Sequence, residues 1–298
     1  MFVADTHSDT LYAMGVEHVS SPMITPARLR EGGVTLQTFA LWTGCDGNRG
    51  DYEGIVAAEL AQLPALVKAG LRQVDDPAEA KEGENCFMLS IEGGEVFEKD
   101  LATVEKWRGC GVRMAALLWN NDNRLGYPAK HGDKRGLTDY GVAVVKEMQR
   151  VKMAVDTSHL NEAGFYDIFA KTNHAPMASH SCCKALCGHS RNLTDDQLRL
   201  LIREGGYIGV NFYPYFLSDD GKADIARVAE HIDHICQLGG DGNVGFGSDF
   251  DGIEVAPEGL TTPAQIPALL DELRHRGYPE STIAGVAGEN LRKYFRGL

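Results

Sequence analysis

Five short segments of this 298-residue chain end in side chains that ligate divalent metals or move protons. They are His7-Ser8-Asp9, Glu92-Gly93-Gly94, Ser158-His159, Ser179-His180 and Asp249-Phe250-Asp251-Gly252, each after a mostly apolar run. His7 and Asp9 are two residues apart. On an extended chain both project to one face and offer a nitrogen and an oxygen to a borderline cation such as zinc. Taken alone, a His-x-Asp at a strand end is more often structural. The metal reading rests on coincidence, because Glu92, His159 and His180 independently fall at the ends of their own runs. His7, Asp9, Glu92, His159 and His180 are too many ligands for one tetrahedral zinc. They suit two zinc ions sharing a carboxylate, with Glu92 the bridge by elimination. Two ions about 3.5–4 Å apart lower the pKa of a shared water and polarise a carbonyl, which yields a hydroxide nucleophile at neutral pH. Asp249 is a spare carboxylate in the same bowl.

Something must bring these ends together. Eight β-like runs are legible, at 2–6, 34–42, 86–91, 113–119, 153–157, 175–179, 207–212 and 243–247. Most are continuously apolar rather than alternating, as in parallel strands buried on both faces. Helical spacing lies between several of them: Val56, Leu60, Leu63, Val67 and Leu71; Val142, Val145 and Met148; Ile225, Val228, Ile232 and Ile235. Thr194-Asp195-Asp196-Gln197 is a capping box, and its helix should end near Gly205-Gly206. Strand then helix, repeated eight times, predicts an α/β fold of the (β/α)8 TIM-barrel kind. A doubly wound sheet is the alternative, but no GxGxxG follows the first strand. No repeat or flexible linker divides the chain, so one barrel domain over 1–298 is expected, closed by helices at 263–276 and 279–296. Such a barrel carries its site at the C-terminal strand ends, where the five segments fall.

Composition narrows the function classes. The chain has 29 basic and 42 acidic residues, a net charge of −13, and 43% hydrophobic residues. That is ordinary for a globular protein and too apolar for disorder. Nucleic-acid binding is disfavoured because no Lys/Arg cluster exists to meet phosphates. No run of about 18 apolar residues predicts a membrane span. Seven cysteines at irregular spacing, with no secretion signal, read as reduced thiols in a cytoplasmic protein. Cys182, Cys183 and Cys187 lack the CxxC pairs of a structural zinc site. His231 and His234 read as core or solvated residues, His189 as a neighbour of Arg191, and Asp251 as support for the Asp249 loop. Tyr213 and Tyr215 follow the seventh strand and could line a cleft. Asp241-Gly242-Asn243 and Asp219-Asp220-Gly221 lack the spacing of calcium loops.

With these residues in hand, the chain resembles the membrane (renal) dipeptidases, metallopeptidase family M19 of the amidohydrolase-like barrels. The matching stretches are Asp5-Thr6-His7-Ser8-Asp9, Ser90-Ile91-Glu92-Gly93-Gly94, Val155-Asp156-Thr157-Ser158-His159 and Ala178-Ser179-His180-Ser181. Ser190-Arg191-Asn192, Val210-Asn211-Phe212-Tyr213, the segment Gly245-Phe246-Gly247-Ser248-Asp249-Phe250-Asp251-Gly252 and Glu289-Asn290-Leu291 follow in order, over nearly the whole length. The resemblance implies a dipeptidase with His7, Asp9 and Glu92 on one zinc and Glu92, His159 and His180 on the other. It implies that Asp249 handles the proton and grips the substrate amine, and that Arg191 binds the C-terminal carboxylate. It further implies tolerance of a C-terminal D-residue, opening of certain β-lactams, and a homodimer. One departure stands out: mammalian-type members carry a substrate-contacting histidine where this chain has Trp119, which would instead shape a pocket wall. Neighbouring amidohydrolases, acting on cyclic amides, lactones, N-acyl amino acids or amino groups, are the rivals. Cyclic amidases bridge their metals with a lysine absent near Trp119, and deaminases begin with HxH. A non-catalytic barrel would need a missing ligand.

Overall fold

The computed structural model describes residues 1–44, 51–132, 134–172 and 175–298, so Cys45 and His174 lie outside the described residues. Eight parallel strands close into a barrel: β1 Ala4–Asp5, β2 Leu36–Trp42, β3 Cys86–Glu92, β4 Val112–Ala116, β5 Ala154–Asp156, β6 Met177–Ala178, β7 Tyr207–Val210 and β8 Val244–Phe246. β1 pairs with both β2 and β8, and β2 pairs directly with β3, which completes the ring. Each expected run supplies one strand. A two-residue strand, Arg72–Gln73, also pairs with the start of β3. Both its residues are exposed, so it carries no apolar signal in the sequence.

The expected burial on both faces has a simple structural origin. All seven residues of β3 are buried. Phe87, Leu89 and Ile91 pack in the layer under the helices, while Cys86 and Met88 join the cluster that fills the barrel's lower half. Leu291, Tyr294 and Phe295, from helix Asn290–Arg296, plug that lower end. Following the period of two upward, the inward series from Met88 continues through Ser90 to Glu92. Apolar filling at the bottom thus gives way to polar groups and then to a ligand at the top.

The helices follow the sequence with two adjustments. Helix Asp195–Glu204 starts with the Thr194–Gln197 capping box and stops at Gly205, whose φ of 80° is left-handed. The stretch read as one helix at 56–71 forms two, Tyr52–Leu60 and Leu63–Lys68, with a proline in the first turn of the second. The closing segment at 279–296 likewise divides into Glu280–Ala284 and Asn290–Arg296.

Candidate active site

Two buried aspartates fasten the strand ends that carry the histidines. Asp5 accepts hydrogen bonds from the Ser248 hydroxyl (2.5 Å), the Ser248 amide (2.8 Å) and the Gln37 side chain (3.1 Å), tying β1, β2 and β8 together. Asp156 does the same for β5 and β6, accepting from the amides of Ser158 and Ser179, both at 2.9 Å, and from the Ser179 hydroxyl. That hydroxyl also lies 2.8 Å from His180 Nδ1, so the far nitrogen of the ring is turned to the centre. Beyond the β1–β8 ladder the chains stay zipped, with the Asp249 amide donating to His7 O (3.1 Å) and the Asp9 amide to Phe250 O (3.0 Å). Neither aspartate has an expected role from residue type and spacing. Their only signal is position, two and three residues before His7 and His159.

All five expected ligands converge, and Asp249 joins them. Glu92 Oε2 lies 3.6 Å from His7 Nε2, which is also 3.5 Å from Asp9 Oδ2 and 3.7 Å from Asp249 Oδ1. Glu92 Oε1 faces the other way, 2.7 Å from His159 Nε2 and 3.5 Å from His180 Nε2, and those two nitrogens are 3.2 Å apart. Donors around one tetrahedral ion at about 2.1 Å are about 3.4 Å from each other; all these spacings but the 2.7 Å between Glu92 and His159, which is that of a hydrogen bond, are those of ligand sets. Two overlapping groups, His7–Glu92–His180 and His7–Asp9–Asp249, are each compact enough for one ion, and because both use His7 they are alternatives and not a pair. His7 Nε2 and Asp9 Oδ1 are buried without a hydrogen-bond partner, as groups awaiting a cation would be.

The electrostatics agree. Burial pushes His159 down to about 4, with the Arg191 charge adding to it, and burial with the His7 charge drives His180 well below its usual range. Both rings are therefore neutral at pH 7 and have lone pairs to give. Burial works against the charge on Glu92, but His7 and His159 hold its pKa well below the ordinary value. Burial and the neighbouring Glu92 push Asp9 up to about 7. Carboxylates crowded this closely need positive charge among them, and a divalent ion supplies it.

Above the ligands lies a cleft of about 190 Å³. That is below the roughly 300–1,000 Å³ of drug-sized sites and suits a small substrate. Trp119 forms one wall, packed edge-on against Trp42 with centroids 4.9 Å apart, as expected of a wall residue. Beside it Asn120 Oδ1 sits 3.0 Å from His159 Nδ1 and fixes that ring's tautomer, a role the sequence reading missed. Across the cleft Arg191 is buried, with Nη2 2.9 Å from His180 Nε2 and Nε unpartnered. Asp249 receives the Asn211 side-chain amide at 2.9 Å, and burial pushes its pKa up. Tyr213 lines the cleft beside Glu254; burial, then the Glu254 charge, pushes its phenol up to about 12. Tyr215 is 53% exposed and stays outside. A larger hollow of about 590 Å³ lies on the barrel flank between helices Tyr52–Leu60 and Ala102–Gly109 and contains none of the converging residues.

The turns after β5 and β8 are strained where it matters. His159, Asp249 and Asp251 have φ of 69°, 64° and 67°, a left-handed conformation costly for residues with a Cβ. Asp251 holds the loop after β8 as expected, accepting from Thr10 Oγ1 (2.7 Å) and from the amides of Met23 (2.5 Å) and Ile24 (3.2 Å). Gly252 is dictated by space, since a Cβ there would lie 2.1 Å from Asp9 Oδ2. His231 is a core residue, taking the Cys183 amide at 3.1 Å and meeting Leu217 O at 2.9 Å, while His234 pairs with Asp195 at 2.8 Å. The Cys182 and Cys183 thiols point at backbone carbonyls. His189 Nδ1 accepts the Arg191 amide at 3.2 Å.

A closed parallel barrel with converging histidines and carboxylates at its C-terminal rim defines a metal-dependent hydrolase. The profile of the family described as Membrane dipeptidase (Peptidase family M19) matches residues 1–297, and the chain belongs to this family of metallodipeptidases. A relative named Dipeptidase aclJ, from Aspergillus oryzae, is 32% identical over 288 residues, covering 89% of this chain and 67% of its own. Among solved structures, a Rhodobacter sphaeroides metallopeptidase, liganded with a phosphinate mimic of L-Ala-D-Ala, superposes with a TM-score of 0.88 at 25% identity, covering 99% of both chains. The dipeptidase AC, a family M19 metallopeptidase, superposes with a TM-score of 0.90 at 26% identity, covering 99% of this chain and 98% of its own. Among the described residues no helix is long and apolar enough to cross a membrane.

Proposed function

We propose that this chain hydrolyses dipeptides at two zinc ions held on the barrel rim, and that it accepts a D-residue at the C-terminal position. One observation carries the two-ion reading: the oxygens of Glu92 face separate donor sets, His7 with Asp9 and His159 with His180. Glu92 then bridges, His7 and Asp9 complete one ion, and His159 and His180 complete the other. Ions so held lower the pKa of a shared water and polarise the scissile carbonyl. The chain's own residues measure and orient the substrate. Arg191, buried with Nε free, takes the C-terminal carboxylate. Asp249 takes the free amine and delivers a proton to the departing nitrogen, a task suited to a carboxyl whose pKa burial has raised. One cation and one anion at fixed separation reject longer peptides, which cannot seat both termini at once. The D-residue tolerance draws its support from the L-Ala-D-Ala mimic bound by the Rhodobacter sphaeroides relative.

The reading also takes residues 1–298 as one barrel domain, for which the family match over 1–297 is the support. It puts the chain in the cytoplasm, in keeping with the six unpaired thiols among the described residues. The homodimer rests on the resemblance alone. The test is amino-acid release from paired L-X-D-Y and L-X-L-Y dipeptides, with zinc-loaded protein set against chelator-stripped protein. Zinc-dependent release from both series is expected. Two zinc ions bound with no dipeptide cleaved would move the activity to another amide or ester.

A further inference from the structure

Most charged groups lining the cleft have a place in the proposed function. Asp9, Glu92 and His159 belong to the ion-binding set, and Arg191 and Asp249 grip the two termini. Glu254 is left over. It is exposed at the mouth, on the loop that carries Asp249, with its charge beside the Tyr213 phenol. Among the described residues no Lys, Arg or His pairs with it. Beside it the cleft lining is apolar and aromatic, with Ile253 adjacent in the chain and the Tyr213 ring next to its carboxylate. A hydrophobic wall ending in an anion matches a side chain with an aliphatic stem and a cationic tip.

We infer that Glu254 selects a cationic side chain, lysine or arginine, on the N-terminal residue of the dipeptide. This rests on the dipeptidase reading. The N-terminal side chain leaves the same α-carbon as the amine held by Asp249, so it emerges on the Asp249 side of the cleft. Glu254 is five residues along that same loop. The acidic chain as a whole, at −13, favours cationic substrates in approach, and Glu254 turns that weak bias into a local contact.

The experiment compares kcat/KM for Lys-Ala and norleucyl-Ala, each with L- and D-alanine, on zinc-loaded protein. The two side chains share a stem and differ in charge. Wild type should favour lysine by about threefold to tenfold, chiefly through KM, and less at high salt. Glu254→Gln should bring the ratio close to one, and Glu254→Lys should reverse it and raise cleavage of Glu-Ala. An unchanged ratio in Glu254→Gln, or no lysine preference in wild type, overturns the inference. A preference found only in Ala-Lys against Ala-norleucine overturns the assignment to the N-terminal residue. Ala-Ala cleavage without any charge preference leaves the dipeptidase reading standing, whereas no cleavage of any dipeptide ends both.

Discussion

Glu92 is the residue on which the site turns, because its two oxygens serve two sides. Replacing it with glutamine keeps the shape but removes the negative charge and turns one acceptor into a donor. That donor would face neutral His159 Nε2 or crowded His7 Nε2, and either ligand set loses a member. Glu92→Gln should therefore lower bound zinc and dipeptide cleavage together, with activity down at least about 100-fold. Metal content by elemental analysis, read beside the rate, decides it; a variant that keeps both ions and full activity would refute the bridging role. The ligand types were legible in the sequence because His, Asp and Glu at strand ends announce themselves. Asp5, Asp156 and Asn120 were not, since their work is to hold other groups still, and nothing in a residue type distinguishes that from ordinary capping. Gly252 was equally silent: it is needed only because the Asp9 and Asp249 carboxylates leave no room for a Cβ, and that is known only once the loop is closed.

At the scale of elements, the strands could be read because they are buried on both faces, but their ends could not. The fourth run was expected to reach Trp119, yet its ladder stops at Ala116. Beyond that point Leu117 O is satisfied by the Asn123 side chain at 2.8 Å instead of by a neighbouring strand, which frees Trp119 and Asn120 to turn into the cleft. Apolar pattern does not record which partner a carbonyl finds. Close strand approach at the rim is likewise a matter of geometry. At Gly247, just past β8, a Cβ would lie 1.8 Å from Ser179 O and 3.1 Å from the His180 Cα. Backbone must shift to admit it, and the backbone in question carries His180. Gly247→Ala should cost at least about 2 kcal/mol and weaken zinc binding as well. Thermal unfolding and zinc titration of the variant test this. A stable variant with normal zinc affinity would mean that the rim is more yielding than its packing.

At the scale of the whole molecule, the barrel buries an acid far from any cation and leaves one of its oxygens without a partner. Glu59 lies on helix Tyr52–Leu60 with no exposed surface. One of its oxygens accepts the Trp42 amide at 3.0 Å and the other has no partner. Helix Thr10–Gly15 packs so tightly against this helix that a Cβ on Gly15 would lie 2.6 Å from Ala58 O, which keeps water out. Burial accordingly pushes Glu59 up to about 9; the Trp42 amide opposes this, and Asp9 and Glu92 add to it. Bound zinc would offset the charges of Asp9 and Glu92 but not the burial, so the shift should persist in the loaded protein. Its sign follows from proton counting. Between the ordinary glutamate value and about 9, the folded chain keeps a proton that the unfolded chain has lost, so stability falls as pH rises through that window. Glu59→Gln has no such proton to keep. Its melting temperature minus that of wild type should therefore grow from pH 5 to pH 8, by an amount of order 1–3 kcal/mol, or several degrees for a chain of this size. Scanning calorimetry of both zinc-loaded proteins at the two pH values measures it, and a difference that stays flat would mean that water or a cation reaches Glu59 after all.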